Sequence, residues 1–110
     1  MRSIPRQLLI HSAEIRNPLS EDSFGNILYS EPEYIKYVRI DFTDNFELQG
    51  MNRENTLTAV LIYDCKNSSP SNFNFKKGQA VEFDGNLFTV VSVVKLYEKT
   101  QLHHIEITLA

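Results

Sequence analysis

The sequence lacks most of the residues on which specialised classes of protein depend. Tryptophan is absent and Cys65 is the only cysteine, so the chain can form neither an internal disulfide nor a cage of thiolates around zinc. At the end of an apolar run, Cys65 reads as a small core or strand-end residue. The four glycines, Gly25, Gly50, Gly78 and Gly85, stand singly, and no glycine-rich loop is present to cradle a phosphate. No run of about 18 apolar residues occurs, which excludes a helical membrane span. The opening Met1-Arg2-Ser3-Ile4-Pro5-Arg6 is charged, and Gln7-Leu8-Leu9-Ile10 is broken by His11-Ser12 before it reaches signal-peptide length. A reducing cytoplasm is the expected place of synthesis. Positive charge is also short: the net charge is −3 and the pI about 5.5, without the electrostatic footprint of a protein that grips phosphates.

What is present is ordinary globular material. Hydrophobic residues make up 42% and charged residues 23% of the 110, far from the disordered class. Residues 1–110 are expected to form a single domain, which at this size buries roughly 60 to 70% of the surface its unfolded chain exposes. No cofactor is needed to complete such a core.

Period-2 alternation dominates, and no segment keeps apolar residues at helical spacing for three turns. The segment from Phe75 to Val94 encodes one hairpin. Val81 and Phe83 alternate with Glu82 and Asp84, Asp84-Gly85-Asn86 supplies residues that tolerate positive φ, and Leu87 to Leu96 runs on as a strand rich in β-branched residues. Leu102 to Leu109 alternates polar and apolar residues as a closing strand. A first strand is expected over about Gln7 to Arg16, with Leu9, His11, Ala13 and Ile15 on one side, ended by Asn17-Pro18. Ser20 to Asn26 reads as a polar connection with a Gly-Asn turn, and Ile27 to Tyr29 as a brief pairing segment stopped at Glu31-Pro32.

Tyr34 to Thr43 alternates Val38, Ile40 and Phe42 with Arg39, Asp41 and Thr43, the pattern of a half-buried antiparallel strand. Leu57 to Asp64 is apolar on both faces at Val60, Leu61 and Ile62, which makes it central or covered. Lys66 to Asn74 is a loop of turn formers whose Phe73, with Phe75, is expected to fold back over one end. The fold class is therefore all-β, a small antiparallel barrel or barrel-like sandwich with one long inter-strand loop.

Chemistry is hard to find on this frame. His103-His104 with Glu106 invites a metal, but on an ideal strand His104 and Glu106 share one face and His103 points to the other, so no metal site is assigned. Ser12, Ser68, Ser69 and Ser71 lack a nucleophile elbow, and the carboxylates fall on solvated faces and turns, so no catalytic residue is assigned and the chain reads as a non-enzyme. A second reading is an OB-like barrel for single-stranded nucleic acid. Tyr34, Tyr37, Tyr63, Phe88 and Tyr97 would stack on bases, and Lys36, Arg39, Lys76, Lys77, Lys95 and Lys99 would meet phosphates. The negative net charge opposes it.

The connection Asp44 to Asn55 is the remaining candidate. It sets Phe46, Leu48 and Met51 among Glu47, Gln49 and Gly50, the mixture expected of a segment that docks or reorders as much as of an ordinary loop.

The hairpin and closing strand also carry a resemblance. Together with Ile4-Pro5-Arg6-Gln7-Leu8-Leu9-Ile10-His11, Asp22-Ser23-Phe24-Gly25-Asn26, Tyr37-Val38-Arg39-Ile40-Asp41 and Ala59-Val60-Leu61-Ile62-Tyr63-Asp64, they resemble the small minor capsid proteins of tailed phages and prophages. The pattern is similar to that of the head-closure, or stopper, proteins of long-tailed phages. The resemblance implies a ring of copies of this chain, a portal or adaptor protein above, a tail-side completion protein below, and packaged DNA passing through without specific binding. It implies assembly in the host cytoplasm and a final place at the virion head-tail interface. By position, Phe46 to Met51 would be the channel-closing element, and mild acidity would suit a wall past which DNA slides.

Overall fold

The computed structural model describes residues 4–46 and 55–110. Pro5 stands at φ −56, and Arg6–Leu8 follows as a single 3-10 turn, with Leu8 N donating to Pro5 O at 2.9 Å. The first strand therefore starts later than the alternation from Gln7 predicts, because the proline ring fixes a φ that suits a tight turn. Strand β1 is His11–Arg16, β2 Pro18–Glu21, β3 Ile27–Tyr29, β4 Glu33–Phe46, β5 Asn55–Asp64, β6 Ala80–Phe83, β7 Asn86–Glu98 and β8 Gln101–Leu109. Six of these close into an antiparallel barrel in the order β1-β4-β5-β8-β7-β6, while β2 and β3 form a separate two-stranded ribbon. No α-helix occurs among the described residues.

Alternation fills the barrel as the sequence predicts. Ala59, Leu61 and Tyr63 of β5 lie beside Leu109, Ile107 and Ile105 of β8, and all are buried. β5 lies between β4 and β8 in the closed barrel; Leu61 is buried in the core while Val60 and Ile62 are half-buried on the outer face. Strict alternation fails at three bulges. His11 pairs with Val38 but Ser12 with Lys36, leaving Tyr37 as an extra residue in β4 at φ 57. The bulge turns both Ile35 and Val38 into the core. Val91 is the extra residue in β7, between Val90 paired with Leu109 and Ser92 paired with Thr108. His103 is the extra residue in β8, where Leu96 pairs with His104 and Tyr97 with Leu102.

The antiparallel order gives the barrel two different ends. One carries the flanks of the long connection, Phe46 paired with Asn55, and the β6–β7 turn. The turn is Asp84-Gly85 at φ 51 and 77, and Asn86 is already the first residue of β7. Residues Glu47 to Met51 of the candidate channel element lie outside the described residues. The other end carries the ribbon, residues 65–79 and the β7–β8 turn. There Phe75 packs edge-on against Tyr63 at 5.2 Å and Phe73 lies 4.8 Å from Phe75, closing that end as expected.

The ribbon was legible only in part. Asn17-Pro18 reads as a strand end, yet Pro18 begins β2, a place proline can take in an edge strand because no partner needs its missing N–H. Every residue of β2 and β3 is exposed, so no buried face betrays it in the sequence. Its turn is well built. Asp22 Oδ1 accepts from Phe24 N at 2.9 Å and from Asn26 N at 2.8 Å, and Gly25 turns at φ 84.

Two expectations test this construction. A Cβ at Gly85 would meet nothing within 4 Å, so Gly85→Val should cost only backbone strain, about 1–2 kcal/mol, whereas Leu61→Ala, in the fully buried core, should cost roughly 2–5 kcal/mol. Urea unfolding should rank them in that order, and Gly85→Asn should be milder than Gly85→Val; a neutral Gly85→Val would contradict the positive-φ turn. The second concerns Asp22, whose carboxyl is held below its ordinary 3.8 chiefly by the Asn26 N–H and next by that of Phe24. A depressed folded value means its contribution is present above the unfolded value and is lost as pH falls through the folded one. NMR titration should show the Phe24 and Asn26 amides moving together with a midpoint below 3.8. A midpoint at or above it would remove the hydrogen-bonded turn.

Candidate interaction surface

Two stretches of exposed apolar surface stand on well-fixed elements. The first is the outside of β5, β8 and β7. Val60 lies beside Thr108, which lies beside Ser92, and Ile62 beside Glu106, which lies beside Val94. Val60 and Ile62 are half-buried, Val94 is exposed, and Ser92 Oγ meets Thr108 Oγ1 at 3.2 Å. Arg39 borders the patch beside Ile62 and is tied to Asp41 at 3.1 Å. The two-faced apolar pattern of Leu87 to Tyr97 thus resolves into Phe88 and Val90 inside and Leu87, Val91, Val94 and Tyr97 outside.

The second place is the ribbon end. Leu19, Phe24, Ile27, Leu28 and Tyr29 are all exposed. The base of the ribbon is pinned by residues that the sequence did not flag. Gln79, fully buried, donates through Nε2 to Asn17 Oδ1 at 2.8 Å and to Asn74 O at 3.1 Å, and accepts from Lys76 N at 2.8 Å. Asn17 N donates to Ser30 Oγ at 3.0 Å, and Ser30 N returns a bond to Asn17 O at 2.8 Å. Every polar atom of the Gln79 amide has a partner, so the ribbon leaves the barrel from a fixed base. Only an Asn-Pro step after β1 and a lone glutamine before β6 stand in the sequence to hint at this.

Beside that base lies a cavity of about 380 Å³ with Cys65, Tyr63, Phe73, Phe75, Val93 and Lys95 in its wall. Its polar rim is held by loop bonds: the Tyr63 hydroxyl donates to Pro70 O, and Phe73 N donates to that hydroxyl at 3.4 Å. Burial, and then the charge of Asp64, push the Cys65 thiol above its ordinary value, which makes it a poor nucleophile at neutral pH.

Three sequence readings change on this geometry. The bulge at His103 defeats the ideal alternation that set the two imidazoles on opposite faces: His103 Nδ1 and His104 Nδ1 are 2.7 Å apart, one ring donating and the other accepting, and His104 Nε2 lies 3.4 Å from Glu106. Even so, no group of three metal-ligating side chains occurs among the described residues. The stacking platform for single-stranded nucleic acid dissolves. Tyr63 and Phe88 are core residues, Tyr37 lies under the Arg6 guanidinium at 3.9 Å, and Tyr34 on β4 is separated from Tyr97 on β7 by β5 and β8. His11, unassigned by sequence, accepts from Ile40 N at 3.0 Å through Nδ1 and packs edge-on against Phe83, a structural role at the barrel mouth.

No curated protein and no solved structure matches the chain. The family model for the minor capsid protein, however, matches residues 5–109, a span that takes in all eight strands of the barrel and ribbon. The chain therefore belongs to the minor capsid protein family, structural proteins of the phage virion.

Proposed function

We propose that this minor capsid protein is a subunit of a head-tail connector ring, seated between a portal or adaptor protein and a tail-side completion protein, and that it helps retain packaged DNA. The observation that carries the reading is the ribbon, which exposes every residue of β2 and β3 yet leaves the barrel from a fully bonded base. Apolar residues displayed on a fixed support are surface reserved for a neighbour. Two barrel ends of different chemistry support a subunit that meets a different partner on each side. A net charge of −3 supports a channel wall that does not hold DNA by counterion release. The channel-closing role is assigned to Phe46 to Met51 from their position in the sequence alone, which the resemblance to stopper proteins supports.

Self-association follows from the exposed apolar surface. Analytical ultracentrifugation of the chain alone, at rising concentration, and with the portal and tail-side proteins of its own phage should show concentration-dependent or partner-dependent assembly. A strict monomer in all these mixtures would end the ring reading.

Closure is tested separately from joining. If Phe46, Leu48 and Met51 face the channel, replacing them together by serine should leave thermal unfolding near wild type, since the described core is built at other positions, while assembled heads lose packaged DNA. Collapse of folding would assign those side chains to the core; full DNA retention with normal folding would leave the chain a joining ring without a gate.

A further inference from the structure

Phe24 stands at the tip of the ribbon with 89% of its surface exposed. It is held there by the Asp22 turn rather than carried on a loose loop. The ribbon and its flanks, residues 17–33, contain Glu21, Asp22, Glu31 and Glu33 and no lysine, arginine or histidine. The surroundings of the end cavity have the opposite character. Lys95 is the one charged residue in its wall, and residues 65–79, which form one side of it, contain Lys66, Lys76 and Lys77 and no acidic residue. Aromatic rings of Tyr63, Phe73 and Phe75 face the same space, a lining suited to a phenyl ring in offset or edge contact. An aromatic knob flanked by carboxylates is complementary in polarity and charge to an aromatic cavity whose wall carries Lys95 and whose adjoining carboxylate, Asp64, is buried and already bonded to Ile4 N and Asn67 N.

We infer that Phe24 of one copy inserts into the end cavity of a second copy of this chain, joining copies head to tail. This rests on the ring reading above and names the contact that would build it. Within one chain the knob is not seated, since Phe24 is exposed. Ribbon and cavity also lie at the same end of the barrel, so copies related by rotation about an axis along the barrel present them at the same height. Because knob and cavity are different surfaces the contact is heterologous, the kind that closes a ring when the rotation per copy divides a full turn. Opposite charges around the contact speed encounter and fix its register, and make it weaken as salt rises.

The native Cys65 in the cavity wall provides the test. In Ser23→Cys, which keeps Phe24, mild oxidation at alkaline pH should give a ladder of multimers in which mass spectrometry finds residue 23 joined to residue 65; Ser23→Cys with Cys65→Ser should stop at dimers. Phe24→Ala should weaken self-association on the order of 30-fold, as for a central aromatic anchor, and Lys95→Glu should weaken it in the same direction, both with unchanged circular dichroism. If the wild-type chain assembles but Phe24→Ala assembles equally and no 23–65 link forms, this contact is wrong while the ring reading survives. If Ser23→Cys links instead to a portal or tail-side protein, the ribbon docks on a different partner and the second-copy assignment is overturned. A chain that stays monomeric alone and with its neighbours defeats both.

Discussion

The barrel depends on one extra residue. β4 pairs with β1 through its first half and with β5 through its second, and the change of partner falls beside Tyr37, where an extra residue bends the strand and increases its twist. The positive φ of 57 at Tyr37 would be unfavourable for a bulky residue in isolation, and the surroundings hold it there. Ser68 Oγ donates to the Tyr37 carbonyl, the Arg6 guanidinium covers the ring, and Lys36 exchanges both backbone bonds with Ser69 at 2.8 and 3.0 Å. The bulge thus also fixes where the 65–79 segment lies, because Ser68 and Ser69 are bonded to the bent part of β4.

Two buried polar residues carry that order outward. Asp64 ends β5 and is fully buried, accepting from Ile4 N at 3.3 Å and Asn67 N at 3.0 Å, while Asn67 Nδ2 donates to Ile4 O at 2.9 Å. It ties the start of the described chain and the 65–79 segment to the same strand end. Gln79 does the corresponding work at the ribbon. Among the described residues no buried side-chain polar atom lacks a partner, and that completeness matters because each unsatisfied group would cost about 1–3 kcal/mol. Removing the carboxylate of Asp64 or the amide of Gln79 would therefore strand several backbone groups at once, loosening loops and ribbon before it touched the apolar core.

The parts of this fold that the sequence made legible are those where local pattern and tertiary position agree. Asp84-Gly85 between alternating strands needs no distant partner to define it, and the apolar run through Val60, Leu61 and Ile62 announces a central strand. Tyr37, Val91 and His103 were invisible as bulges because none is glycine or proline; each is an ordinary strand residue placed out of phase by its partner strand. The error at His103-His104 followed from this, since alternation from an ideal strand sends the rings apart and the bulge brings them together. The ribbon was half seen for a different reason: a strand pair exposed on every residue leaves no alternation to read. Gln79 and Asn17 lie 62 residues apart in sequence, and their meeting is a property of the closed barrel alone.

A division of labour follows from where the order ends. Among the described residues, apolar side chains fill the barrel and every buried side-chain polar atom has a partner. What remains available is at the margins: the outer face around Ile62 and Val94, the ribbon with its acidic flanks, and the aromatic end cavity with Lys95 in its wall. A protein of a structural virion family needs its contacts to be repeated identically in every copy, and that requires each contact surface to be anchored to the rigid part by bonds that do not depend on the partner. The Gln79 base of the ribbon and the Asp64 anchor of the loop meet that requirement before any partner arrives, which lowers the ordering cost that assembly would otherwise carry.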